Sequence, residues 1–92
     1  MRTIVLSTQY KKDLKLARKR NLPENELNAV VFNLANDIQL APKFRDHELT
    51  SNYRGFRECH IQPDWLLMYK KTDAGELHIL ELARTGSHSD LF

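Results

Sequence analysis

Residues 56–84 read FRECHIQPDWLLMYKKTDAGELHILELAR, and this stretch decides the fold class. Its β-branched, aromatic and apolar runs predict three strands, at Phe56–Ile61, Trp65–Lys70 and Leu77–Arg84. Pro63-Asp64 separates the first pair, and Thr72-Asp73-Ala74-Gly75 has the turn chemistry of a hairpin between the second pair. Because connections this short join antiparallel neighbours, the three strands should form a meander.

The residues before this stretch predict one strand and two helices. Arg2–Leu6 is a short β-branched run, and Ser7-Thr8 can cap a first helix. A second helix should span about Pro23–Leu40, because proline is tolerated at a helix start and Pro42 ends the segment. The apolar residues recur at helical spacing: Tyr10, Leu14 and Ala17, then Leu27, Val30 or Val31, Leu34 and Ile38.

Together these elements predict an α+β fold of order β-α-α-β-β-β. The short link between the helices indicates an antiparallel helical hairpin, packed on one side of an antiparallel sheet. Residues 42–54 have no clear periodicity and predict a loop. A chain of this length is expected to form a single domain, residues 1–92.

The composition is that of an ordinary globular protein, with 41% hydrophobic and 28% charged residues. No apolar run approaches the roughly 18 residues that span a bilayer, so we expect no membrane partner. The single cysteine, Cys59, excludes an internal disulfide and is typical of a reducing compartment. These features predict a soluble cytoplasmic protein.

The net charge of +2 is unevenly distributed along the chain. Residues 1–20 hold seven basic residues against one acid, which gives +6 and leaves −4 for the rest. Lys11, Lys15 and Lys19 recur on one face of the first helix. Such a face either binds a polyanion or is simply solvated, and under the first interpretation these lysines contact nucleic acid.

Polar side chains suited to phosphate chemistry should meet at one end of the predicted meander. His60 ends the first strand and Asp64 follows the turn, so the two lie close if the strands pair. Arg84 ends the third strand at the same edge, and His88 follows it in the tail. His47 can reach this cluster from its loop.

Two imidazoles and an arginine are suited to the cleavage of a phosphodiester. One group removes a proton from the 2′-hydroxyl, another protonates the departing 5′-oxygen, and a guanidinium neutralises charge on the phosphate. Trp65 and Phe92 can stack on unpaired bases, although a core position is the commoner role of a tryptophan. Arg84 can alternatively form a simple ion pair with Asp64.

Other chemistries lack the residues they need. One cysteine and scattered histidines do not have the close spacing of zinc ligands, so no metal is expected. Cys59, inside a strand, is typical of inert packing rather than of a nucleophile. The chain has only three glycines and no glycine-rich phosphate loop, so we expect no cofactor.

Three stretches and the first helix are similar to one known family. The stretches are Asp46-His47-Glu48-Leu49, Gly55–Lys70 with its His-x-x-Pro-Asp-Trp run, and Arg84-Thr85-Gly86-Ser87-His88 continuing to Phe92. Gln9–Asp13 and Lys15–Ala17 fit the first helix of the same family. The chain therefore resembles, over essentially its whole length, the YafQ branch of the RelE superfamily of bacterial toxins.

The resemblance implies a compact RelE-like, microbial-RNase-like fold and the toxin of a type II toxin–antitoxin pair. Such toxins cleave mRNA in the ribosomal A site without a metal. The basic first helix would then contact ribosomal RNA, and a cognate antitoxin would neutralise the toxin. Operator DNA would be bound only through that antitoxin.

The resemblance also implies which residues are functional. The family's positions fall on His47, His60, Asp64, Arg84, His88 and Phe92, with Trp65 as a supporting aromatic. We expect His47 or Asp64 to act as base and His88 as acid. Arg84 would bind the phosphate, and His60 would position the reacting groups.

Two other functions are compatible with the same residues. The chain can be a non-catalytic binding module or co-repressor partner, in which case growth inhibition would survive the loss of His88. It can also be a ribonuclease that acts on ribosome-free RNA, in which case a naked transcript would be cleaved.

Overall fold

A computed structural model describes every residue from 1 to 92. Its helices and strands are β1 (Thr3–Leu6), α1 (Thr8–Lys19), α2 (Glu24–Ala35), β2 (His47–Glu48), β3 (Arg57–Gln62), β4 (Trp65–Ala74), β5 (Leu77–Gly86) and α3 (His88–Leu91). Two short 3₁₀ turns, Pro42–Phe44 and Ser51–Tyr53, flank β2. The class is α+β, as the sequence predicted.

The five strands form one mixed sheet in the order β1-β5-β4-β3-β2. The β3–β4–β5 meander is antiparallel, which confirms the three strands predicted between residues 56 and 84. The expectation of a purely antiparallel sheet was wrong at one edge, because β1 pairs with β5 in parallel. β1 and β5 are the first and last strands in the chain, and α1, which follows β1, packs on β5.

The predicted end of the second helix differs from the structure. The second helix ends at Ala35 instead of near Leu40, because Asn36 caps it and Asp37 takes a left-handed φ of 56°. The Asn36 side chain donates to the Phe32 carbonyl at 2.9 Å, which satisfies a carbonyl of the last turn. Ile38, expected on the apolar face, is consequently exposed.

The hydrophobic core lies between the sheet and the first two helices. Alternate residues of the meander face it: Cys59 and Ile61, then Trp65, Leu67 and Tyr69, then Leu80 and Leu82. The helices contribute Tyr10 and Ala17 from α1, and Leu27, Val30, Leu34 and Ala35 from α2. Burial raises the pKa of Cys59 to about 12, in keeping with the prediction that this thiol is inert. No helix is long and apolar enough to cross a membrane.

The opposite face of the sheet carries two rows of side chains. In register across four strands, Arg84 lies beside Met68, Met68 beside Glu58, and Glu58 beside His47. The next row aligns Gly86, Leu66 and His60. Partners in register share a face, so Arg84, Glu58, His47 and His60 all start from the face away from α1 and α2.

A β-bulge turns Arg84 toward this face. Leu82 pairs with Tyr69 and Arg84 pairs with Met68, so Ala83 is the extra residue of β5. In a regular strand without the bulge, Arg84 would lie two residues after Leu82 and therefore on the same face, in the core. The bulge therefore decides on which side of the sheet the guanidinium begins.

Candidate active site

His88 is fixed against Asp64 by two hydrogen bonds. Asp64 Oδ1 accepts from the His88 backbone N–H at 2.9 Å and from ring Nδ1 at 2.7 Å. A carboxylate acceptor requires a proton on Nδ1, so Nε2 is the ring atom left for chemistry. The two donations from His88 also lower the pKa of the Asp64 carboxyl. This contact makes Asp64 an orienting partner of His88, at the end of the meander where both residues were expected.

His60 and His88 face one another. Their ring centroids are 5.6 Å apart with the planes inclined at 61°. The side chain of His60 is largely buried at 13% exposure, whereas that of His88 is 54% exposed. One ring is thus held by packing on the sheet while the other meets solvent.

Glu58 lies between His60 and His47. Its Oε1 is 3.9 Å from His60 Nε2 and 3.7 Å from His47 Nε2. The carboxylate is 4% exposed, and its Oε2 has no hydrogen-bond partner. A buried carboxylate at this distance can stabilise an imidazole that gains a proton during a reaction. The sequence analysis missed Glu58, although its position two residues before His60 places both on one strand face.

The loop that carries His47 is anchored at several points. Arg45 adopts a left-handed φ of 49°, and its carbonyl accepts from His47 Nδ1 at 2.7 Å. Asp46 accepts from the Tyr69 hydroxyl at 2.6 Å and from Arg57 Nε at 3.2 Å. These contacts fix His47 with Nδ1 protonated and Nε2 toward Glu58, so its neutral ring carries a lone pair on Nε2.

Arg84 is held by Asp13 of α1 and does not pair with Asp64. Its Nε donates to Asp13 Oδ2 at 2.9 Å, and its Nη2 donates to Asp13 Oδ1 at 3.2 Å. Asp13 Oδ2 also accepts the Thr85 N–H, which β1 leaves free because its pairing with β5 stops at Leu82. The alternative of an Arg84–Asp64 pair was therefore wrong. The fork fixes the guanidinium while Nη1 keeps no protein partner.

The short helix that bears His88 is fixed at its first turn. Ser87 and Asp90 form a reciprocal capping box, and Arg20 donates to Asp90 at 2.6 Å. The ion pair with Arg20 holds the pKa of Asp90 far below its usual range. A Cβ on residue 86 would lie 2.9 Å from the Asp90 Cβ, so Gly86 permits the close approach.

The two predicted base-stacking residues have different surroundings. Phe92 is 62% exposed and meets Tyr53 edge-to-face at 5.7 Å, so its ring is accessible beside the site. Trp65 is 2% exposed and belongs to the core. Trp65 points to the helix side of the sheet, so its assignment as a substrate-binding aromatic was wrong.

The lysine face of α1 is separate from the histidine cluster. Lys11, Lys15 and Lys19 are exposed, and none of them forms an ion pair. The helix buries Tyr10, Asp13 and Ala17 against the sheet, so the lysines point away from it. They form an unpaired cationic surface. The link between this helix and the site is the contact of Asp13, on its buried face, with Arg84.

The structure brings these residues together as a chain of contacts: Glu58 lies near His47 and His60, His60 faces His88, and His88 donates to Asp64. Arg84 starts from the same sheet face. No group of three or more histidine, cysteine, aspartate or glutamate side chains has the geometry to hold a metal ion. The sequence analysis also missed Asp13, although it is the only acid among residues 1–20.

Comparisons with known proteins agree with this fold. The family model described as "Bacterial toxin of type II toxin-antitoxin system, YafQ" matches residues 2–92. The mRNA interferase toxin YafQ of Escherichia coli K12 is 41% identical over 92 residues, covering 99% of this chain and 96% of that protein. A small α+β toxin is thus the class that the fold and the sequence define. The chain belongs to the YafQ family of bacterial toxins of type II toxin–antitoxin systems.

Two solved structures extend the comparison. The YafQ chain of the E. coli DinJ–YafQ toxin–antitoxin complex has a TM-score of 0.88 at 41% identity, covering 99% of this chain and 97% of that one. The metal-bound toxin from Helicobacter pylori has a TM-score of 0.89 at 44% identity, with full coverage of both chains. The first of these relatives has been solved with an antitoxin and the second with a metal ion.

Proposed function

We propose that this chain is an endoribonuclease that cleaves mRNA in the ribosomal A site by metal-independent acid–base chemistry. The observation that carries the proposal is the pair of facing imidazoles, His60 and His88, with Asp64 orienting the second. The mRNA interferase name of the 41% identical relative supports the same reaction class. In the reaction the 2′-oxygen bonds to phosphorus as the bond to the 5′-oxygen breaks, leaving a 2′,3′-cyclic phosphate.

The geometry supports His60 and His88 as the two groups that move protons. Rings 5.6 Å apart can flank one phosphate, with one imidazole taking the 2′-hydroxyl proton and the other protonating the 5′-oxygen. His88 Nε2 is the accessible atom, so we assign it the acid role. Glu58 can stabilise His60 as it becomes protonated, and the half-exposed His47 ring lies 3.7 Å from the same carboxylate.

Arg84 and Phe92 complete the substrate site. Arg84 Nη1 is free to donate to a phosphate oxygen, because Asp13 occupies only Nε and Nη2. Phe92 offers an exposed ring on which an unpaired base can stack. Asp64 orients His88, because its Oδ1 accepts from both the backbone N–H and the ring Nδ1 of that residue.

The cationic face of Lys11, Lys15 and Lys19 supports docking on ribosomal RNA. Unpaired lysines on one helix face attract phosphates over long range and release counterions on binding. This surface is remote from the reacting groups, as a docking surface on a large particle requires. The proposal places the chain in the cytoplasm, where ribosomes are.

A cognate antitoxin is the expected protein partner. The related E. coli toxin is known in a complex with DinJ. The chain presents no helix suited to reading a DNA groove, so we propose that it reaches operator DNA only through the antitoxin.

The test is cleavage of mRNA on programmed ribosomes by the parent chain and by His88→Ala, with and without EDTA. Cleavage that is lost in the variant and unaffected by EDTA supports the proposal. Equal cleavage by both chains, or none by the parent, contradicts it and favours the binding-module alternative. Cleavage of a ribosome-free transcript at the same rate would instead indicate a free ribonuclease.

A further inference from the structure

A groove of about 600 Å³ opens beside His60, outside the cluster described above. It runs between α2 and the 3₁₀ turn Pro42–Phe44, along the edge of β3. This edge is open because β2 pairs only with Arg57 and Glu58. The volume lies within the ~300–1,000 Å³ range of small-ligand sites. His60 lines the groove and also belongs to the histidine cluster, so the groove adjoins the cluster at this residue.

The groove has an apolar floor and a cationic wall. Ala29, Val30 and Ile61 form the floor, and Lys43 and Arg45 stand on the wall. Neither cation takes part in an ion pair, and Lys43 Nζ lies 5.1 Å from the centroid of the Phe44 ring. Two unpaired cations above an apolar floor match a ligand that combines phosphate with a flat ring.

The acidic residue of the lining is already engaged. Glu26 Oε2 accepts from Gln62 Nε2 at 2.9 Å, which ties α2 to the end of β3 and closes one side of the groove. The Glu26 carboxylate therefore already has a hydrogen-bond donor within the protein. The net charge of the lining remains positive.

Asn33 supplies an unused hydrogen-bonding group. This half-buried residue of α2 lines the groove, and its side-chain amide makes no hydrogen bond within the chain. A carboxamide offers a donor and an acceptor side by side, which is the pattern that pairs with the edge of a nucleobase. By contrast, the side-chain amide of Asn36, about one turn further along the chain, already donates to the Phe32 carbonyl.

We propose that this groove binds one nucleotide of single-stranded RNA, adjacent to the phosphate that is cleaved. The base lies on the apolar floor with its edge at Asn33, and the phosphate lies against Lys43 and Arg45. This assignment rests on the proposed function, since it extends the RNA path from His60. An extended peptide could pair with the free β3 edge, but its backbone would offer no partner to the two cations or to the Asn33 side-chain amide.

Binding can be measured without cleavage. The probe is a 2′-O-methylated RNA trinucleotide, titrated into ¹⁵N-labelled protein and followed by NMR. The Asn33 side-chain amide and the backbone amides of residues 43–45 should shift. Lys43→Ala/Arg45→Ala should weaken the apparent affinity about tenfold or more, because each charge-assisted contact contributes strongly.

The matched control is Lys12→Ala/Arg18→Ala, which removes the same charge from exposed positions of α1. If both double variants bind equally, or if the shifts avoid the groove, the proposal is wrong. An acidic hexapeptide of alternating leucine and glutamate is the counter-probe. Groove shifts with this peptide and none with the trinucleotide would make the groove a protein-docking surface.

Cleavage on programmed ribosomes separates this proposal from the proposed function. If the parent cleaves and the groove variant cleaves at the parental rate, the groove proposal fails while the ribonuclease function stands. A fall of about tenfold in the groove variant, with the α1 control unchanged in trinucleotide affinity, supports it. Asn33→Ala should in addition change the relative affinities for trinucleotides that differ in one base.

Discussion

Asp64 Oδ1 accepts both the backbone N–H and the ring Nδ1 of His88, at 2.9 and 2.7 Å. One carboxylate oxygen therefore sets the start of α3 and the tautomer of its histidine. The two donations lower the pKa of Asp64, so the carboxylate stays charged throughout the neutral range. A carboxylate that holds an imidazole in this way orients the ring and stabilises its protonated form.

Asp64→Asn should abolish most of the cleavage while leaving the fold intact. An amide lacks the negative charge and can present a donor to Nδ1, which favours the wrong tautomer. The single-turnover rate on programmed ribosomes is expected to fall about 100-fold or more. Asp73→Asn is the matched control, because Asp73 accepts from His78 Nδ1 at 2.7 Å on a distant part of the sheet. Similar rates for the two variants would contradict the role given to Asp64.

Substitutions of Trp65 and of Phe92 should have different effects, the first mainly on stability and the second mainly on cleavage. Trp65→Ala should lower the free energy of unfolding by about 3–5 kcal/mol, because the ring is buried in the core. Phe92→Ala should change it by less than about 0.5 kcal/mol, yet reduce cleavage several-fold through lost stacking. Urea denaturation and ribosomal cleavage measure the two effects. A stable Trp65→Ala protein would overturn the core assignment.

Asp13→Ala should reduce both stability and cleavage. The substitution leaves the buried Thr85 N–H without an acceptor, at a cost of about 1–3 kcal/mol, and releases the Arg84 guanidinium. Arg84→Lys retains a charge but loses the fork, so its cleavage should fall while its melting temperature stays nearer the parent's.

The control for Asp13 is Glu24→Ala, which removes from α2 the exposed ion-pair partner of Arg18 in α1. Its melting temperature and cleavage rate should match the parent's, since exposed ion pairs contribute little. If Asp13→Ala behaves like Glu24→Ala, Arg84 does not depend on Asp13.

The pH dependence of stability should include a contribution from Asp37. Hydrogen bonds from Lys71 and Arg2 lower its pKa to about 2, against about 3.9 in an unfolded chain. Because the folded-state pKa is depressed, the stabilisation is complete above about pH 4 and is lost as pH falls through about 2. Asp37→Asn should therefore melt below the parent at pH 7, and the difference should shrink between pH 4 and pH 2.

Glu76→Gln is the control for this series, because Glu76 lies in the β4–β5 turn and forms no ion pair. Thermal unfolding at pH 7, 4 and 2 is the measurement. A difference between Asp37→Asn and the parent that persists unchanged at pH 2 would contradict the assignment.

Local patterns in the sequence were enough to predict the meander and the first two helices, but not α3, whose residues were expected to form a tail. Alternating apolar residues and short turns located β3, β4 and β5 to within a few residues, and Ser7 caps α1 as predicted. The end of α2 was missed because Asn36 and Asp37 stop the helix by local hydrogen bonding and a left-handed φ, whereas Ile38 continues the apolar spacing. The parallel pairing of β1 was also missed, since nothing in a four-residue strand specifies its neighbour.

The site was predictable where turns determined it and unpredictable where distant elements met. Pro63-Asp64 places Asp64 next to the strand ends, so its proximity to His88 followed from the meander. The Asp13–Arg84 contact joins residues 71 positions apart, and only the packing of α1 on β5 brings them together. The burial of Trp65 depends on which face of β4 the helices cover, which the strand pattern alone left open.

The bulge at Ala83 has a consequence for how chains of this family can diverge in length. Deleting this one residue would make Leu82–Tyr69 and Arg84–Met68 consecutive pairs, so Arg84 and Thr85 would keep their faces. The strand can therefore lose Ala83 and still present Arg84 on the same face, whereas a one-residue deletion elsewhere in β5 would reverse the alternation on one side of the deletion. In the β4–β5 hairpin, by contrast, Gly75 has open space around it, so insertions and deletions should accumulate there.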